Sequence, residues 1–246
     1  VCTASWIHVA GRFELFFNRD EQRTRAPASP PRVVELDGVR AVMPLDGQDH
    51  GTWIAANEFG LVVCLLNLYE VAYVPEAPTS RGRVVTELAR ARTLAQAREC
   101  LEAQPLVRLR AFTVALFAPR AEELHSAVVS WDGVALREDA APLAPPLVSS
   151  GFDLPRVRAA RFAAWTELVE RRGGPSAQRL EQYHASKLPE PGALAVAMER
   201  ADACTVSHSR VSVDATSVVL SYTPGVPPGT APAVVAHLPR RSALGT

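Results

Sequence analysis

In the first part of the chain, apolar residues fall in short β-rich runs, and the breaks between the runs carry turn chemistry. Thr3 to Val9 and Arg12 to Phe17 are joined at Ala10-Gly11, a two-residue hairpin signal. Val33 to Leu36 and Arg40 to Met43 flank Asp37-Gly38, residue types that supply the positive φ a tight hairpin needs. A third pair, Thr52 to Ala56 and Leu61 to Leu66, is separated by Asn57-Glu58-Phe59-Gly60. Asn57 is expected at that turn because asparagine tolerates φ > 0. Between the first two hairpins, residues 26–31 (Ala-Pro-Ala-Ser-Pro-Pro) are expected to form a loop, since prolines cannot donate to a ladder.

The period then changes. Val84, Val85, Leu88, Ala91, Leu94, Ala97 and Leu101 fall at helical spacing, with Thr93 placed to cap a second helix. Strands are predicted again at Ala111 to Phe117, Leu124 to Trp131 and Val134 to Arg137. Pro155 suits the first turn of a helix running to Val169, with Val157, Phe162, Trp165 and Val169 on one side and Gly173-Gly174-Pro175 ending it. A short helix over 176–184 and strands at Thr205 to Val213 and Ser217 to Tyr222 complete the pattern. The segment after Pro224 is rich in Pro, Gly and Ala and reads as a loosely ordered tail. Strands, helices and strands again imply an α+β fold with antiparallel sheets, in one domain over 1–228 followed by a tail over 229–246.

Composition narrows the partners. The 26 basic and 26 acidic residues cancel, which argues against nucleic acid or an anionic membrane surface. Only Lys187 among the basic residues is lysine, read first as codon bias in a GC-rich genome. No apolar run is long enough to span a membrane, and Arg12, Glu14 and Arg19 interrupt the N-terminal hydrophobics, so neither a span nor a secretory signal is expected. Four dispersed cysteines (Cys2, Cys64, Cys100, Cys204) form neither a zinc nor a disulfide pattern, and a reducing cytoplasm is the default compartment. The six histidines lack metal-ligand spacing.

Cys2 carries the clearest candidate chemistry. If residue 1 is removed, Cys2 holds a thiol and a free α-amine, a nucleophile with its own base. Val1 stands where Met would be expected, consistent with a GTG start whose Met is trimmed before a small residue; retention of residue 1 would abolish this chemistry. The bland alternatives for Cys2 are a small buried residue or a frayed terminus.

Several blocks occur in order: Cys2-Thr3, Asn18-Arg19-Asp20-Glu21, Gly51-Thr52-Trp53-Ile54 running into 57–61 and Leu66-Asn67, and Ser80-Arg81-Gly82. Residues 148–153 and 198–207 add two more. Together they resemble the NRDE family, also called transport and Golgi organisation type 2, over roughly residues 2–228. That family in turn is similar to the N-terminal-nucleophile hydrolases, especially the cholylglycine hydrolase and penicillin V acylase branch. The resemblance implies a four-layer αββα sandwich of antiparallel sheets.

It also implies roles. Cys2 matches the nucleophile, and Asn67 matches a side-chain donor to the oxyanion, against the alternative of a strand-end cap. Arg19 and Asp20 match residues that stabilise a thiolate and hold the protonated amine, against a structural ion pair at a loop mouth. The acylases separate that pair by two residues, so Glu21 competes with Asp20. Where the acylases have a second asparagine the chain has Ser149-Ser150, and where relatives have an arginine it has Cys204, with Arg200 or Arg210 as substitutes. The expected function is an amidohydrolase or acyltransferase on a small-molecule amide or thioester, with no cofactor. The alternative is a haem or acyl-lipid carrier on the same fold, and a folded interaction module ranks last.

Overall fold

The computed structural model describes residues 2–71, 79–120, 123–139, 144–229 and 231–242. All three sequence hairpins form. β1 (Cys2–Val9) turns into β2 (Arg12–Gln22) through Ala10 and Gly11, whose φ angles of 50° and 73° suit the right-handed twist of the strands. β3 (Ser29–Leu36) and β4 (Val39–Leu45) join at Asp37-Gly38, again with positive φ at both residues. β5 (Ile54–Asn57) and β6 (Val62–Asn67) follow. Gly60, not Asn57, takes the positive φ in this third turn. Asn57 works through its side chain, whose Oδ1 accepts from the Phe59 and Leu61 amides while Nδ2 donates to the Ala89 and Ala91 carbonyls.

Next come α1 (Gly82–Leu88) and α2 (Leu94–Glu102), the latter capped by Thr93 as expected. They are followed by β7 (Phe112–Pro119), β8 (Leu124–Trp131), β9 (Leu136–Glu138) and β10 (Leu147–Ser149). Then α3 (Leu154–Trp165), a π-turn over Thr166–Glu170 and α4 (Ala177–His184) lead to β11 (Ala203–Val213), β12 (Ser217–Pro224) and β13 (Val234–Pro239).

Two antiparallel sheets result, ordered β10-β1-β2-β11-β12-β13 and β3-β4-β5-β6-β7-β8-β9. Their facing surfaces bury Ala4, Trp6, Phe13, Leu15 and Phe17 against Ile54, Ala56, Val62, Leu66 and Phe117. Each large side chain removed from water contributes roughly 1.5–3 kcal/mol, so this double layer is the main source of cohesion. Val84, Val85, Leu88 and Leu101 of α1 and α2 cover the outer face of the second sheet. Trp165, Leu180 and Tyr183 cover the outer face of the first, packing on Phe16. The layers are therefore helix, sheet, sheet, helix: the αββα sandwich that the resemblance implied.

Three further expectations need correction. Pro30 and Pro31 lie within β3, not in a loop; β3 is a sheet edge with a register shift between Ser29 and Arg32, where missing donors cost nothing. The segment after Pro224 is not all loose tail, because β13 pairs with β12 from Ser217↔Pro239 to Tyr222↔Val234. On α3, Val157, Trp165 and the following Val169 are buried as the spacing predicts, but Phe162 is 46% exposed and Arg161 is completely buried.

Candidate active site

Strand alternation sorts the Asn18–Glu21 motif into two faces. Phe13, Leu15 and Phe17 point into the inter-sheet core, so Arg19 and Glu21 continue on that side, while Asn18 and Asp20 point toward the outer helices. Cys2, first residue of β1, pairs across the ladder with Arg19 on one side and Ser149 on the other. Cross-strand partners share a face, so Cys2, Arg19 and Ser149 stand together on the inner side at one end of the sandwich. A pocket of about 380 Å³ opens there, its lining including Cys2, Arg19, Trp53, Asn67 and Arg81.

Arg19 is held rigidly. Its guanidinium stacks over Trp53 at 4.2 Å and donates to the Asp46 carboxylate, with Glu21 3.6 Å away. Arg25 makes a fork to the same carboxylate at 2.8 and 2.9 Å. Burial alone would push Asp46 up, but Arg25, the Asp49 amide and Arg19 hold it well below the usual carboxylate range.

Asp20 faces a different partner. It is buried with Arg161, which reaches down from α3 to lie 3.3 Å away and also donates to the Thr3 hydroxyl. Thr205 Oγ1 donates to the other Asp20 oxygen at 2.5 Å and itself accepts from the Met198 amide. A bulge in β11 between Thr205 and Ser207 makes this possible, since the extra residue turns Thr205 to the outer face opposite Asp20. Burial raises the Asp20 carboxyl, opposed by Arg161 and Thr205. Arg161 thus supplies a guanidinium beside the site, whereas Arg200 binds Asp202 and Arg210 binds Glu14 and Glu181. Cys204 sits opposite Glu21 in the β2–β11 ladder, and burial raises its thiol.

Around the nucleophile candidate, burial pushes the Cys2 thiol up and the charge of Asp20 adds to this, while a hydrogen bond from the Asp20 backbone opposes both. Asn67 ends β6 at the pocket wall and donates to the Tyr69 hydroxyl at 2.8 Å. Asn67 also borders a second cavity of about 240 Å³ that includes Ser149 and Ser150. Ser150 is occupied by its own turn, its Oγ bonded to the Phe152 carbonyl and amide. Ser149 differs: its hydroxyl is buried without a hydrogen-bond partner among the described residues, directly across the ladder from Cys2. The sequence thus brings Cys2, Arg19 and Asn67 to one pocket with Asp20 bordering it, but misses Arg161 and the orphan hydroxyl of Ser149.

Asn18 belongs to another network. Its Nδ2 donates to the His184 and Val196 carbonyls, and its Oδ1 lies 3.0 and 2.9 Å from His184 Nδ1 and His208 Nδ1. It fastens β2 to α4 and takes no place in the pocket. Among the described residues no cluster suits a metal ion, and no helix is long and apolar enough to cross a membrane. For haem, the described pocket residues offer the Cys2 thiol, no histidine and largely polar walls, a poor fit to that group.

The family described as Transport and Golgi organisation 2 matches residues 4–114. No curated protein matches the chain. Among solved structures, the Caenorhabditis elegans ortholog of N-acylethanolamine-hydrolyzing acid amidase aligns at a TM-score of 0.57 and 14% identity, covering 85% of this chain and 92% of that one. A mutant conjugated bile acid hydrolase from Clostridium perfringens aligns at 0.52 and 11%, covering 97% and 92%. At these identities the likeness is one of fold.

Proposed function

We propose that this chain, whose residues 4–114 match the Transport and Golgi organisation 2 family and whose fold is N-terminal-nucleophile hydrolase-like, is a cysteine amidohydrolase or acyltransferase acting on a small amide or thioester. The observation that carries this reading is Cys2 paired across the ladder with Arg19, both lining the pocket, with Ser149 on the other side of Cys2 lining the adjoining cavity and Asp20 buried against Arg161.

In this reading residue 1 is removed and the α-amine of Cys2 takes the thiol proton. The sulfur attacks the carbonyl carbon of the substrate, and the oxyanion is met by Asn67, Ser149 and a backbone N–H. Collapse breaks the C–N or C–S bond, and the ammonium returns its proton to the leaving group. Water, or an acyl acceptor in a transferase, then cleaves the thioester and restores the thiol. Arg19 favours the thiolate, and Asp20, fixed by Arg161 and Thr205, orients the ammonium.

The test is the intact mass of the protein from its native host together with turnover of N-acyl amides and acyl thioesters. The mature chain is expected to start at Cys2, and Cys2→Ala to abolish turnover. Retention of residue 1, or undiminished turnover by Cys2→Ala, would remove Cys2 as the nucleophile; absence of turnover in a chain that begins at Cys2 would favour a carrier instead.

A further inference from the structure

In the proposed chemistry Asn67 donates to the oxyanion, and a donor of this kind works only when it is already oriented. Asn67 Nδ2 donates to the Tyr69 hydroxyl at 2.8 Å, and among the described residues no other hydrogen bond fixes that amide. Tyr69 stands two residues past Asn67, the spacing that keeps side chains on one face of an extended chain. Its neighbours on both sides are anchored. The Leu68 amide donates to the Ala111 carbonyl at 3.2 Å, and Arg158 of α3 forks the Glu70 carboxylate at 3.1 and 3.4 Å.

The Tyr69 ring is held from the turn between β10 and α3. A Cβ on Gly151 would come within 3.1 Å of Tyr69 Cε1 and 3.2 Å of Cδ1, so glycine lets the turn close onto the ring. The turn itself is firm. Ser150 Oγ bonds the Phe152 carbonyl and amide, and the Arg200 guanidinium lies over the Phe152 ring at 5.0 Å. Tyr69 therefore joins the end of β6, which carries Asn67, to the end of β10, which carries Ser149, and all three line the smaller cavity. An asparagine amide has two N–H donors. The Tyr69 hydroxyl takes one and fixes the rotation of the amide, and the second is left for a carbonyl oxygen.

We infer that Tyr69 is a positioning residue for the reaction: its hydroxyl orients the Asn67 amide, and Gly151 seats its ring. This rests on the reading of Cys2 as the nucleophile, but the hold on Asn67 can be measured without turnover. In the chain that begins at Cys2, Tyr69→Phe keeps the ring and removes the acceptor. Tyr69 is 44% exposed, so the melting temperature is expected to stay unchanged. By NMR, the Asn67 side-chain amide is identified by its loss in Asn67→Ala. Its protons are expected to exchange with water about tenfold faster in Tyr69→Phe than in the unsubstituted protein. With S-acetyl-N-acetylcysteamine as acyl donor, kcat is expected to fall about tenfold with KM unchanged. In the Asn67→Ala protein, Tyr69→Phe is expected to cost nothing further, because the hydroxyl acts through Asn67. Equal exchange in the two proteins, equal kcat, or the same loss with and without Asn67 overturns the assignment. Faster exchange in Tyr69→Phe, with no turnover of the thioester by the unsubstituted protein, keeps the hold on Asn67 and counts against the catalytic reading instead.

Discussion

Arg161 of α3 lies 3.3 Å from the Asp20 carboxylate, both side chains completely shielded from solvent, and this pair ties the outer helix layer to the strand that borders the site. A buried charge that loses its partner cannot recover its hydration. Arg161→Met is expected to destabilise the fold by about 3–5 kcal/mol, and the double variant with Asp20→Asn to recover part of that loss. Urea denaturation of the four proteins measures the coupling; additive effects would show that the pair does not act as a unit.

Asn18 presents one carbonyl oxygen to two imidazoles. Its amide nitrogen is fixed by two backbone carbonyls, so Oδ1 must accept, and both His184 and His208 must carry hydrogen on Nδ1. His184 Nε2 is then the acceptor for the Ser5 hydroxyl. Burial and the nearby His208 hold the His184 pKa well below its ordinary value, so it stays neutral. Nitrogen-15 NMR should find His184 neutral, as the Nδ1–H tautomer, at pH values where an ordinary histidine is already protonated. Asn18→Ala, which orphans both donors, is expected to cost about 1–3 kcal/mol in stability.

Ser149 provides a way to separate function from structure. Its hydroxyl is buried and unpartnered among the described residues, so Ser149→Ala removes an unsatisfied group and should leave melting temperature unchanged or raised. If the hydroxyl donates to the oxyanion, the same variant should lower kcat by about 100-fold with little change in KM. Equal kcat in the two proteins would remove Ser149 from the chemistry.

Asp214 tests the acid limit of the fold. Its carboxylate accepts from the Thr216 and Ser217 amides and hydroxyls in the β11–β12 turn, which hold its pKa down to about 2. A depressed folded-state pKa gives stability that is complete above the ordinary aspartate value near 3.9 and is lost as pH falls toward 2. Asp214→Asn should therefore destabilise the protein at pH 6 and make little difference at pH 2, as read from denaturation midpoints at the two pH values.

The hairpins and helix caps were legible because they rest on local chemistry: Asp37-Gly38 and Ala10-Gly11 adopt their conformations whatever surrounds them, and Thr93 caps its own helix. Cys2 beside Arg19 followed from pairing that first hairpin. Arg161 was not legible, because helical spacing counts arginine as polar and turns it to solvent. Here the sheet beneath α3 presents Thr3 and Asp20, so the buried face needs a cation, and Phe162 is left outside. The bulge that aims Thr205 at Asp20 and the edge pairing of β13 both depend on distant strands, which no local pattern encodes.

The nucleophile itself can be read by alkylation with iodoacetamide at pH 7, resolved by peptide mass spectrometry, on two forms of the chain. With residue 1 present, the raised Cys2 thiol should label slowly and gain about tenfold in rate per pH unit, as a thiol below its pKa does. With Cys2 as the first residue, it should label at least about tenfold faster than Cys100, and before buried Cys64 and Cys204, to one adduct per chain. Labelling of the processed form no faster than that of Cys100 would contradict a nucleophilic Cys2.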